Sequence, residues 1–545
     1  MRGDRRPETA AGTRTGVAAR RAHSVFGLLV PGFFIALITA FMLRPVTGQQ
    51  ESPPPPGPAR AVRFPKPVEE TLSNGLRVIV IAREGPALAS AALLIKSGSE
   101  VDPPGLAGLA DITASLLTEG TTTRSAPEIA EAIETLGGSL TTSATWDASI
   151  ASVGVMSAKL DQALSILSDV VRHPAFKREE IERVRRQRLD DLQVAFSEPG
   201  TLAGLVAART VFGNAPYGHP ATGTPESLAR ITRRDIARLH ATYYRPDNAI
   251  LVIGGRVSAE AAFQSAQRLF GDWRRPAAPL PILTSRRASA SPAHHGPRVI
   301  VVDKPDAGQA AVIVIRSGLR RTDPDYFRGL VTNSVLGGGY SARLNQEIRI
   351  KRGLSYGAGS TIEARRERGP FAASTQTRNE SGARVAALIV GELKRLAREP
   401  VAENELVTRK AALIGSFSRS IETTAGLVGQ VATLALYGLD LDEINNFVSK
   451  VQAVTSSDVQ QFASKYLDPQ DVSVVIVGNA KVFLNDLRKE FGAVEVIPAR
   501  ALDLNSASLR RMANSRQKAA DREPEPSFFD HHSVIIKGAK SCGGQ

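Results

Sequence analysis

The chain has 545 residues, 42% of them hydrophobic and 22% charged, with a formal net charge of +14. That length exceeds one ordinary core and gives roughly two to four domains. Aromatics at 5% and no nucleic-acid reader motif argue against nucleic-acid binding, and a single cysteine, Cys542, excludes an intramolecular disulfide or a thiolate metal cluster.

Residues 1–24 form a basic leader, with Arg2, Arg5, Arg6, Arg14, Arg20 and Arg21. Residues 25–43, "VFGLLVPGFFIALITAFML", are uncharged and apolar. The run is long for a signal sequence and just long enough for a membrane anchor, and both readings stay open. Basic residues before it and polar ones after it orient the body outward. The chain is therefore expected to be exported, either periplasmic or anchored facing outside the cytoplasm, with membrane contact only through this segment. Residues 44–66 read as a Pro-rich tether.

From residue 67 the chain becomes periodic. "GLRVIVIARE" and "ASAALLIKSGS" read as strands, and helices follow from Gly105 and from Ala126. "SLTTSATWDASIASVGVM" alternates as strands do. "LDQALSILSDVVRHP" and "KREEIERVRRQRLDDLQVAF" have helical periodicity.

The pattern then repeats. "ITRRDIARLHATYYRPDNAILVIGGRV", from Ile231, matches "VTSSDVQQFASKYLDPQDVSVVIVGNA", from Val454. The strand pair in Leu76–Ser97 matches Arg298–Gly318, and "SEPGTLAGLVAARTVFG" matches "IETTAGLVGQVATLALYG". A period of about 220 residues lies far above that of solenoids. The expected fold is α+β: two homologous halves, 67–273 and 298–497, each an antiparallel or mixed sheet with helices packed on one side, together forming a clamshell. Residues 274–297 read as the linker, and 498–545 as a disordered tail.

This order of segments resembles the pitrilysin/insulinase family of zinc peptidases over most of the chain. "LSNGLRVIV", "GLAGLADITASLLTEGTTTRSAPEIAEAIETLGG", "YGHPATGTPESLARIT" and "LNQEIRIKRGLSYG" carry the resemblance. Active members place His-x-x-Glu-His on a helix in the first half: the histidines bind zinc and the Glu activates water. The matching positions here are Gly108, Asp111 and Ile112. A further Glu completes the family's ligand set, and it is expected here at Asp190 or Asp191. Two carboxylates without a nitrogen ligand make a poor zinc site, so no metal is expected in this chain. The eight histidines offer no replacement, since no two are spaced four apart.

In the second half the resemblance implies roles for Arg349 and Tyr356. In active members an Arg and a Tyr at this spacing bind the substrate backbone and stabilise the tetrahedral intermediate. The plainer reading is a helix C-cap for Arg349 and a core edge for Tyr356. Weaker expectations concern the glycine triplet Gly337, Gly338 and Gly339, read as a loop touching peptide, and Thr141 and Ser143, on a strand that would pair with an extended peptide.

The combination implies an exported, non-catalytic subunit. It would lend Arg349 and Tyr356 to a zinc-bearing homologue carrying His-x-x-Glu-His, and help to enclose unfolded peptides. A peptide-binding or structural scaffold is the second reading. A peptidase active on its own is the third, disfavoured by the missing histidines.

Overall fold

A computed structural model describes residues 64–281 and 296–511. The leader, the apolar run and all but the last residues of the tether lie outside these. Among the described residues no helix is long and apolar enough to cross a membrane.

Six strands build the first sheet: β1 Val68–Thr71, β2 Arg77–Ala82, β3 Leu88–Ile95, β4 Ser139–Ala144, β5 Ser149–Met156 and β6 Ala249–Gly255. Their order is β1-β2-β6-β3-β5-β4. β2 and β6 run parallel, and the other pairs antiparallel. The second sheet holds β7 Val299–Asp303, β8 Ala310–Ser317, β9 Ser355–Ile362, β10 Pro370–Thr377, β11 Ser473–Gly478 and β12 Glu495–Pro498. Its order, β12-β7-β11-β8-β10-β9, repeats the first. The two homologous halves expected from the sequence are thus present. They differ at one edge, where β1 is antiparallel to β2 but β12 is parallel to β7.

The duplication reaches down to single hydrogen bonds. Thr232 caps the helix Arg233–Tyr243 and Thr455 caps the helix Ser456–Tyr466. Each is closed reciprocally by an Asp three residues on, Asp235 and Asp458, whose carboxylate accepts from the Thr backbone N–H at 3.0 and 2.8 Å.

The central strands are apolar on both faces. Val78, Val80, Leu93, Leu251 and Ile253 face helices of their own half. The alternate residues Ile79, Ile81, Leu94, Ile250 and Val252 pack instead against Leu427, Val428, Val431 and Ala435 of the helix Thr424–Leu436, which belongs to the second half. The arrangement is reciprocal: Leu202, Ala203, Val206 and Ala207 of the helix Pro199–Phe212 cover Ile300, Val302, Ile313, Val475 and Val477 of the second sheet. Helices on one side of each sheet were expected, and the other side is covered by a helix from the opposite half. Strands buried on both faces read as continuous apolar runs, as "RVIVIA" and "AILVIGG" do.

The chain does not leave the core at residue 498. Leu504 and Leu509 are buried against β12 and its neighbours. Three leucines in "ALDLNSASL" supply the apolar anchor that a disordered tail would lack.

Candidate functional site

The helix Leu109–Ser115 is short, and its start is fixed from outside. Asp102 accepts from the N–H groups of Gly108 and Ala110, both at 2.8 Å, and so satisfies donors the helix leaves free. Burial pushes the Asp102 carboxyl above its usual range, opposed by His219, whose Nε2 lies 3.4 Å away. His219 also packs edge-on against Trp146. It belongs to the support of this helix.

Gly108 precedes the helix with φ +90°, in the left-handed region. A Cβ there would stand 2.9 Å from the Thr222 carbonyl oxygen and 3.0 Å from Gly223. Position 108 is therefore filled by a neighbouring loop, and is not merely short of a histidine. Ile112 is fully buried in the first core.

Asp111 points elsewhere. Its Oδ2 receives Nε of Arg188 at 2.8 Å, and Arg188 Nη2 donates to Ser115 Oγ at 2.6 Å. Burial raises the Asp111 pKa, and the Arg188 charge opposes that rise. Asp190 and Asp191, expected to supply the downstream acid, do not reach the site. Both are exposed, and Asp191 makes only a 3.4 Å contact to Arg188. The long helix Arg178–Ser197 turns Arg188 inward, one turn before Asp191. Glycine, isoleucine and a paired aspartate do not fit a zinc ion. Among the described residues no group of three His, Cys, Asp or Glu is placed to hold a metal.

The second half presents a different cluster. Arg343–Asn345 continues as a π-turn, Gln346–Ile350, which carries Arg349. Gly353 N–H and Leu354 N–H then bond to the carbonyls of Arg349 and Ile348, both at 2.9 Å, and lead into the edge strand β9. Tyr356 stands on β9 and is 90% exposed, so it fills no core edge. The Arg349 guanidinium contacts two rings, 4.7 Å from the centroid of Tyr340 and 4.9 Å from that of Tyr356. Among the described residues no carboxylate lies within ion-pair distance of it. Lys351 and Arg352 are differently engaged, since both pair with Glu347. Burial acts to raise the Glu347 pKa, and these two cations hold it below its usual range.

The glycine triplet forms part of this scaffold. Gly337 is buried, and a Cβ on it would lie 2.3 Å from Ser360 N. Its carbonyl accepts from that N–H at 3.1 Å, tying the turn to β9. Gly338 and Gly339 are exposed. Thr141 and Ser143 are exposed on β4, the free edge of the first sheet. Arg188 and Tyr340 were not found from the sequence. Arg188 is one of many charges on its helix, and Tyr340 is marked only by following the glycines.

A polar clamp joins the halves. Asp147 accepts from Tyr217 Oη at 2.5 Å, Arg366 N at 2.8 Å and Tyr437 Oη at 3.0 Å. Arg366 donates to the carbonyls of Lys96 and Asp147 and pairs with Glu100.

Comparison with known proteins bears on family and fold. The family described as "Insulinase (Peptidase family M16)" matches residues 77–224, and "Peptidase M16 inactive domain" matches residues 230–413. The chain is 26% identical over 418 residues to an uncharacterized zinc protease of Streptomyces coelicolor, covering 75% of this chain and 89% of that one. It is 24% identical to one of Bacillus subtilis, over 70% and 91% of the two chains. Among solved structures, a peptidase M16 inactive domain from Pseudomonas fluorescens matches with a TM-score of 0.68 at 27% identity, covering 76% of this chain and 98% of that one. A protease from Helicobacter pylori shares the fold, with a TM-score of 0.72 at 21% identity, over 76% of this chain and all of that one.

Proposed function

On the premise that this chain belongs to the insulinase family of peptidases, peptidase family M16, we propose that it is the non-catalytic member of a peptidase pair. The observation that carries this reading is the contrast between its halves. In the first, the ligand positions hold a glycine closed in by a loop, a buried isoleucine and an ion-paired aspartate. In the second, Arg349 lies against the rings of Tyr340 and Tyr356, and Tyr356 is open to solvent.

A guanidinium so held donates to a peptide carbonyl, and a tyrosine hydroxyl donates to an oxyanion. Neither group activates water. The water-activating metal would come from a homologous subunit with His-x-x-Glu-His, and unfolded peptides would be enclosed between the two. The apolar segment 25–43 supports placing the pair outside the cytoplasm. The second reading, a peptide-binding scaffold, draws on β4, an edge strand with exposed Thr141 and Ser143 on which an extended peptide would add.

The test is peptidase turnover of a zinc-bearing homologue from the same cell, alone and mixed with this chain. Silence alone and increased turnover in the mixture support the subunit. Peptide binding with no effect on turnover supports the scaffold. Cleavage by the isolated chain overturns both.

A further inference from the structure

The contacts of Arg188 reach beyond the loss of a metal. Its guanidinium grips two residues one turn apart on the helix Leu109–Ser115, Asp111 through Nε and Ser115 through Nη2. Those side chains, with Arg188, join the short helix to the long helix Arg178–Ser197, a link that a shared metal ion makes when ligands come from two helices. Both charged side chains are largely withdrawn from water, at 24% and 17% exposure, so the pair is coupled more strongly than one on an open surface.

We infer that Arg188 is a resident cation standing in the metal's place, with Asp111 as its counter-ion rather than a dormant general base. A guanidinium is always protonated and is covalently part of the chain, so no chelator removes it. It has no open coordination position and does not bring the pKa of a bound water toward neutrality, as zinc does. The first half is therefore fastened without metal and is unable to hydrolyse. Gly108, shut in by Thr222 and Gly223, and Ile112, locked in the core, close the way back.

The test uses the full chain and does not depend on any partner. Thermal unfolding is followed for the wild type, Arg188→Met, Asp111→Leu and the double variant, each with added zinc and with EDTA. Arg188→Met is expected to lose several degrees, because it leaves a desolvated carboxylate without its cation. The double variant is expected to regain much of that loss. If Arg188→Met does not fold, recovery of folding in the double variant carries the same conclusion. Simple addition of the two single losses overturns the inference. So does a rise in the wild-type melting temperature with zinc that EDTA reverses.

Discussion

The central guanidinium carbon of Arg349 lies 4.7 Å from the ring centroid of Tyr340 and 4.9 Å from that of Tyr356. Contact with two rings narrows the orientations open to a long side chain. In an active pair, Tyr356→Phe is expected to lower kcat by about two orders of magnitude, the scale of losing one donor to a developing oxyanion, while Arg349→Ala, which loses the hold on a peptide carbonyl, is expected chiefly to raise KM. Tyr340→Ala is expected to cost only about two- to five-fold, since an exposed cation–π contact is worth roughly 0.5–1 kcal/mol. Tyr340→Phe keeps the ring and is expected to match the wild type. Equal losses from Ala and Phe would assign the effect to the hydroxyl instead.

The clamp between the halves should dominate stability. Arg366→Met removes the cation facing Glu100 and Asp147, and breaking such a pair costs about 3–5 kcal/mol where it is buried. Arg366 keeps a quarter of its side-chain surface, so the loss is expected toward the lower end of that range. Tyr437→Phe removes one hydrogen bond and is expected to cost about 1 kcal/mol. Denaturant midpoints would rank the two variants.

That clamp also carries a pH dependence. Burial works to raise the Asp147 pKa, but its contact with the neighbouring Glu100 carboxyl and the hydrogen bonds donated by Tyr217 and Arg366 outweigh it and hold the carboxyl below its usual range. A depressed carboxylate contributes stability that is complete above its unfolded-state pKa of about 3.9 and is lost as pH falls through the folded value. The contribution of Asp147 is therefore expected to persist through mild acid and to fail only in strong acid. A clamp already lost at pH 6, in unfolding of the wild type against Arg366→Met, would contradict this.

His240 acts in a higher window. Burial lowers its pKa to about 4, while its Nε2 stays 2.8 Å from the Val171 carbonyl oxygen and its ring stacks on Tyr244. The unfolded chain takes up the proton near pH 6.5 and the folded chain only near 4. Stability is thus unaffected above pH 6.5 and falls between 6.5 and 4, by roughly 3 kcal/mol. Replacing His240 by Phe is expected to flatten that part of the stability–pH curve, whatever it costs at neutral pH.

Position 108 tests whether the old ligand place has room. Gly108→Ala forces a Cβ into the left-handed region and against the Thr222 carbonyl. The backbone term alone is about 1–2 kcal/mol, and the contact adds to it. Gly108→His with Ile112→His is expected to bind no zinc with measurable stoichiometry, because position 108 lies before the helix and Ile112 faces the core. Stoichiometric zinc in that variant would show that the loop yields.

Much of this molecule is written locally. Two strand pairs, two Thr-to-Asp caps and two apolar helices recur in the same order, and each depends on neighbours within a few residues; hence the duplication, the α+β class and the family were legible from residue patterns alone. So was the loss of both histidines, which is a matter of identity. What the linear pattern does not encode is which apolar face meets which. Ile79 is buried by a helix of the second half and Leu202 by the sheet of the second half, pairings set by the closure of the whole chain. The pairing of Arg188 with Asp111 spans 77 positions, and nothing in a charged helix marks which of its arginines turns inward. Loop packing is equally non-local: Gly108 reads as a missing ligand, and only Thr222 and Gly223 beside it show that the space is gone. The sequence by itself determined what chemistry was absent, because chemistry resides in side-chain identity. Only the tertiary structure decided what took its place, because that depends on which distant groups the fold brings within hydrogen-bond reach.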